Sequence, residues 1–153
     1  CTNDDDFITM DNWVDSSGLD AKTDLLLQMD IEGYEYMTVI NMTDKLLNRF
    51  RIIVIEFHGL QDLWQPRFFD FAYSTFNKIL KTHTCVHIHP NNGDGLEERL
   101  GVKIPKTAEF TFLRKDRITH KKPSTQFPHD LDFDNTTGNT MVLPDNWFFS
   151  TQN

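Results

Sequence analysis

Residues Ile52, Ile53, Val54 and Ile55 form an unbroken β-branched run. Side chains branched at Cβ lose rotamer freedom in a helix and pack well on a pleated surface, so this run reads as a strand. It stops at Glu56-Phe57-His58-Gly59. The segment Pro66 to Lys81 that follows carries Phe68, Ala72, Phe76, Ile79 and Leu80 at helical spacing, with Pro66 suited to the first turn. A buried strand followed by an amphipathic helix needs further strands for the helix to cover, which points to an α/β fold.

The rest of the chain supplies them. Leu25 to Met29 is a short continuous apolar run, read as a strand buried on both faces and ending at Asp30. Tyr34 to Phe50 contains neither Gly nor Pro, and Tyr36, Met37, Val39, Ile40, Leu46 and Leu47 share one broad helical face. One or two helices are expected there, with Thr43 as an internal cap. Thr82 to His89 reads as a third strand, closed by Pro90 and the loop Asn91-Asn92-Gly93-Asp94-Gly95, and Ala108 to Arg114 as a fourth. Met10 to Val14 is a short amphipathic turn ahead of Asp15-Ser16-Ser17-Gly18. Strands alternating with helices predict crossover connections and a mainly parallel sheet flanked by helices. The α/β body is expected over residues 1–118. Beyond it the chain is polar, carries Pro123, Pro128 and Pro144, and is read as a tail, 119–153, packing on or extending that body until Trp147, Phe148 and Phe149.

Length and composition agree. A chain of 153 residues, 39% hydrophobic and 25% charged, suffices for one domain with a core. Its longest aliphatic stretch, Ile52 to Ile55, is far below the roughly 20 apolar residues of a membrane span, and no signal segment opens the chain. A net charge of −8 and a pI near 5.1 oppose binding to a nucleic-acid backbone. Cys1 and Cys85 make no disulfide framework and point to a reducing compartment, the cytoplasm. The first residues enter an element midway, as in a segment of something longer.

In an open parallel sheet, ligands bind beyond the carboxyl ends of the strands. Those ends are polar here: Asp30 and Glu32 before Gly33, Glu56 and His58 before Gly59, then His89, Asn91 and Asn92. Any one of them is explained by contact with water; their convergence suggests a site. An extended backbone would project Asp30 and Glu32 to one side, while a turn at Gly33 would offer free amides. Two carboxylates oppose an anion, so a general base or a hard-cation ligand fits better. His58 is equally a surface histidine or a proton acceptor. Alternation places His83, Cys85, His87 and His89 on one face, a metal-ligand spacing whose rival, satisfied histidines on a half-buried strand, is favoured because no remote ligand set accompanies them.

Three weaker patterns complete the reading. Gly93-Asp94-Gly95 lacks the third glycine of a phosphate loop. Asp130, Asp132 and Asp134 begin a calcium loop that Asn135 and Met141 break. Arg114, Lys115, Arg117, His120, Lys121 and Lys122 form a basic patch, either a solvated face or a contact for a phosphorylated substrate.

The runs LLLQMDIEGYE (25–35), IVIEFH (53–58) and HIHPNN (87–92), in this order, resemble FkbM-type S-adenosylmethionine-dependent methyltransferases, and EFTFLR (109–114) with FPHDLDF (127–133) extends the likeness over roughly Thr9 to Trp147. The resemblance implies a partial doubly wound, Rossmann-like domain. The family's glycine-rich turn and the acidic end of its second strand have no counterpart here, so the chain is similar to the carboxyl-terminal, substrate-side half. It further implies S-adenosylmethionine as cofactor, with Asp30 and Ile31 beside its methionine portion and His58 or Asp30 as the base. Glu32, His89, Asn91 and Asn92 would orient an acceptor hydroxyl on a sugar, glycan or small molecule, and no metal is expected. The alternatives are a non-catalytic ligand-binding or assembly module and, third, a metal-binding domain built on the histidine strand. A half sheet leaves Leu25 to Met29 in need of cover, so self-association or a missing N-terminal segment is expected.

Overall fold

The computed structural model describes residues 8–124 and 127–147. Cys1, Asp4 to Asp6, Phe7, Phe148 and Phe149 lie outside the described residues. The β-branched run is the middle of β2 (Phe50–Phe57), joined by β1 (Leu25–Met29), β3 (His83–Pro90), β4 (Leu96–Arg99), β5 (Val102–Pro105) and β6 (Ala108–Arg114). The helices are α1 (Met10–Ser16), α2 (Glu35–Asn41), α3 (Asp44–Leu47) and α4 (Pro66–Thr82). Thr43 is the cap expected of it, its hydroxyl accepting the Leu46 N–H at 3.1 Å.

The main sheet has the order β1-β2-β6-β3. β1 and β2 pair in parallel, whereas β6 pairs antiparallel with both β2 and β3. The mainly parallel pairing expected from the sequence is therefore not observed; the sheet is mixed. The reason lies in the connections. α2 and α3 carry β1 to β2, and α4 carries β2 to β3, so these three strands run in one direction. No helix separates β3 from β6. The chain instead makes the exposed β4–β5 hairpin and returns antiparallel, between β2 and β3.

β1 is an edge strand, which corrects the expectation that both its faces are buried. Leu27 and Met29 face the core, but Leu26 is 62% exposed and Gln28 is exposed as well. The core lies under α2 and α4, where Tyr36 and Phe76 pack on Phe57, and Phe76 packs on Phe110. Such tilted and edge-on ring contacts add to the burial of large apolar surfaces. Met37, assigned to the same helical face as Tyr36, is instead half exposed.

A bulge between Cys85 and His87 corrects the histidine strand. His83 and Cys85 lie opposite Arg114 and Phe112, while His87 and His89 lie opposite Thr111 and Glu109. Alternation along β6 puts these two pairs on opposite faces. The extra residue, Val86, thus divides the four side chains that strict alternation would have gathered.

The described part of the tail is tied to the body. Phe127 and Leu143 are buried, and the Trp147 indole N–H donates to the Lys103 carbonyl at 2.9 Å.

Candidate functional site

The co-directional strands deliver their polar ends to one side of the sheet. After β1 the chain turns sharply: Glu32 has φ 56° and Gly33 φ 100°. At Gly33 this conformation is free of the Cβ strain that a side chain would bring. The turn throws Glu35, the first residue of α2, back under the loop. Glu35 is fully buried, and its Oε1 accepts the N–H groups of Ile31 at 3.0 Å and Gly33 at 3.1 Å. The amides expected to be free for a ligand are thus spent on an internal carboxylate.

The same oxygen lies 3.1 Å from His58 Nδ1. His58 follows β2, where Gly59, at φ 72°, turns the chain into a short 3-10 helix, and its carbonyl accepts the Tyr36 hydroxyl at 3.0 Å. Its other nitrogen, Nε2, stands 3.8 Å from Asp30 Oδ1, 3.6 Å from Glu32 Oε2 and 3.9 Å from Glu56 Oε2. One imidazole is therefore ringed by the carboxylates of Asp30, Glu32, Glu35 and Glu56. Burial pushes the Glu56 carboxyl up, reinforced by the charge of Asp30 and opposed by the Asn91 amide, which donates to Glu56 at 3.0 Å. Burial likewise pushes the Tyr36 phenol up, with the Glu35 charge adding to it, so its hydroxyl stays a donor.

This geometry fixes the histidine's tautomer. A carboxylate oxygen can only accept, so Nδ1 carries the proton toward Glu35 and neutral His58 keeps Nε2 as the acceptor. The arrangement can take a proton at Nε2 and hold the resulting imidazolium among carboxylates. Asp30, Glu35 and His58 also bring one ligand atom each within 4.8 Å of one another, a set that could hold a cation. Glu35 Oε1 already serves three donors, and its buried Oε2 is the oxygen with no hydrogen-bond partner among the described residues.

Of the residues predicted from the sequence, Asp30, Glu32 and His58 meet, and Asn91 joins them through Glu56. Ile31 reaches the site through its N–H. Asn92 is engaged elsewhere, and both ring nitrogens of His89 are buried with no hydrogen-bond partner among the described residues. His89 Nδ1 lies 3.6 Å from Asp132 of the tail, and His87 Nε2 lies 2.9 Å from the same carboxylate. The N–H of His129 and the charges of His87 and His89 hold Asp132 low against the opposing effect of burial. Asn92 accepts the Thr136 N–H at 2.9 Å and donates to the Thr136 carbonyl at 3.2 Å, stapling the tail. Burial pushes the Cys85 thiol up to about 11, which makes it a poor thiolate ligand. The basic patch is also displaced. Arg114 ends β6, which runs against its neighbours, so Arg114, Lys115 and Arg117 lie at the opposite end of the sheet, out of reach of a substrate at His58.

Sequence reasoning missed Glu35 as part of the site, and gave Glu56, one of its converging strand-end residues, no role of its own. Glu56 was visible as a strand-end carboxylate. Glu35 had one signal, an acid two residues beyond a turn glycine, where a first-turn carboxylate can reach back to free amides.

Residues 8–84, just over half of the 153, match the family described as the methyltransferase FkbM domain. The matched stretch contains Asp30, Glu32, Glu35, Glu56 and His58, and ends before His89, Asn91 and Asn92. No curated protein and no solved structure matches the chain. No helix among the described residues is long and apolar enough to cross a membrane. With the ring of carboxylates about His58 built entirely from the matched segment, the chain belongs to the FkbM methyltransferase family, whose chemistry is methyl transfer.

Proposed function

We propose that the protein transfers a methyl group from S-adenosylmethionine to a hydroxyl oxygen of a sugar, glycan or small molecule, as the substrate-side part of a doubly wound, Rossmann-like domain. The observation that carries this reading is His58, with Nδ1 on buried Glu35 and Nε2 open among Asp30, Glu32 and Glu56. An alcohol is a weak nucleophile until a base takes its proton. His58 Nε2 would accept that proton as the bond from the methyl carbon to sulfur breaks and its bond to the hydroxyl oxygen forms, leaving a neutral thioether, and Glu35 would hold the ring in the competent tautomer. Asp30, with Ile31 beside it, holds the cofactor, and the surplus of carboxylates over one imidazole suits a cationic sulfonium. The bound cofactor supplies the electrophilic methyl group. Glu32 and Asn91 orient the acceptor, with His89 and Asn92 farther along the rim.

A second reading, an assembly module, is favoured by the edge of β1, unpaired among the described residues, and by exposed Leu26. The test is a comparison of His58→Ala with Asp30→Asn in the full-length protein. His58→Ala lowers turnover about a hundredfold or more with cofactor affinity nearly unchanged, whereas Asp30→Asn weakens cofactor binding and rate together. Full activity of His58→Ala, with Asp30→Asn abolishing the rate but not cofactor binding, makes Asp30 the base. A wild-type protein that binds no S-adenosylmethionine by calorimetry favours the assembly reading.

A further inference from the structure

At the end of the sheet opposite His58, the segments leading into β1, β2 and β3 and the residues closing β6 enclose an open cavity of about 700 Å³. On a chain of net charge −8, its lining is strongly cationic: seven lysines and arginines against two aspartates. Both acids are already spent. Asp24 accepts from Arg114 at 2.8 Å and from Arg117 at 2.7 Å, and Asp116 accepts from Arg114 at 2.7 Å. Those arginines hold both carboxyls below their usual range, through hydrogen bonds and charge that outweigh desolvation.

The structural role of such cations is to neutralise carbonyls at helix ends, and two of them do so. Arg114 donates to the Asn48 carbonyl, and Lys115 to those of Leu80 and Lys81. Three others do not. Lys22, Lys45 and Lys81 make no ion pair or side-chain hydrogen bond among the described residues, and Arg49 Nε is a buried donor with no partner there. The lysines come from three separate segments, the loop before β1, α3 and α4, and converge on one space.

We propose that this cavity is a second binding site, for a small ligand carrying two or more phosphoryl groups. Lysine ammoniums act as point charges that suit tetrahedral phosphate oxygens, whereas the arginine forks that would grip a planar carboxylate already hold Asp24 and Asp116. Ammoniums on three segments ask for charge spread over a chain of groups, which a single small anion does not offer. The volume falls within the roughly 300–1,000 Å³ of small-molecule sites. The net negative charge of the whole chain opposes the extended backbone of a nucleic acid. The site is independent of methyl transfer, which belongs to the other end of the sheet.

The test is isothermal titration calorimetry of the full-length protein with tripolyphosphate, pyrophosphate, orthophosphate and sulfate at moderate salt. Affinity is expected to rise from orthophosphate to pyrophosphate to tripolyphosphate and to fall with added salt. Lys45→Glu/Lys81→Glu, which changes only exposed side chains, weakens tripolyphosphate about tenfold or more. Arg67→Glu/Lys103→Glu makes the same charge change away from the cavity and alters affinity by no more than about twofold. The proposal is overturned if tripolyphosphate binds no tighter than orthophosphate, or if the two double variants weaken it equally.

Discussion

Replacing Glu35 with alanine probes the turn and the candidate base together. Glu35 Oε1 serves three donors, the amides of Ile31 and Gly33 and His58 Nδ1, at 3.0, 3.1 and 3.1 Å. Hydrogen bonds to a charged acceptor contribute roughly 1.5–3 kcal/mol each when fully buried. These donors are only part-buried, so water recovers some of that, leaving about 1 kcal/mol apiece. Opposing the loss is relief from burying a carboxylate whose Oε2 has no partner among the described residues. Removing one member of a buried charged contact nonetheless typically costs about 3–5 kcal/mol, because the remaining groups are stranded. A net destabilisation of about 2–3 kcal/mol follows. With a urea slope of roughly 2 kcal/mol per molar, the unfolding midpoint falls by about 1–1.5 M. Glu35→Gln keeps the size and one acceptor oxygen and loses about half as much. Nitrogen NMR of the imidazole supplies a reading that stability alone would not move: neutral His58 carries its proton on Nδ1 in the wild type and on both nitrogens in exchange in Glu35→Gln. An unchanged urea midpoint for Glu35→Ala, or an Nε2–H tautomer in the wild type, would refute this account.

Other expectations can be checked on the same material. His83 is buried, with Nε2 2.8 Å from the Phe50 carbonyl; burial lowers its pKa and that hydrogen bond only partly offsets the effect. The unfolded chain therefore binds this proton first, so stability declines as pH falls below about 6.5 toward the lower folded value. Urea midpoints at about pH 7.5 and 5.5 show the slope, and His83→Gln flattens it. Asp132→Ala frees His87 and the His129 amide together, so the segment 127–147 is cut faster by added protease while the far-ultraviolet circular dichroism holds; an unchanged cleavage rate counts against the staple. The edge of β1, unpaired among the described residues, predicts that the 153-residue chain either associates in a concentration-dependent way in sedimentation, which Leu26→Lys abolishes, or has that edge covered by another segment; a compact monomer of these 153 residues at all concentrations counts against this expectation.

Where the sequence was legible, hydrophobic period and cap chemistry pointed the same way. β1, β6 and α4 lie where period and composition put them, and Thr43 separates α2 from α3 because a threonine hydroxyl can satisfy a helix-start amide. The β4–β5 hairpin went unread for a physical reason. Leu96 to Arg99 is exposed throughout, so no buried face imposes an alternating pattern, and the turn at Leu100 and Gly101 offers one glycine as its signal. The direction of β6 was within reach. A strand reached without an intervening helix has no crossover and cannot continue a parallel series, so the missing helix between His89 and Ala108 already favoured an antiparallel return. The bulge at Val86 could not be read, because one unpaired residue leaves composition unchanged and inverts the face of everything after it.

The site divides along the same line. Asp30, Glu32 and His58 were found because strand direction alone places them, whatever the local backbone does. Their partnership was not, because it depends on Glu35, and Glu35 reaches His58 only through left-handed backbone at Glu32 and Gly33. An extended continuation of β1 would send Glu35 away from the sheet and leave His58 a surface histidine among exposed acids. The turn converts that bland arrangement into a histidine with a fixed tautomer. The base we propose therefore depends less on the residue that carries the proton than on the glycine that lets a buried carboxylate stand behind it.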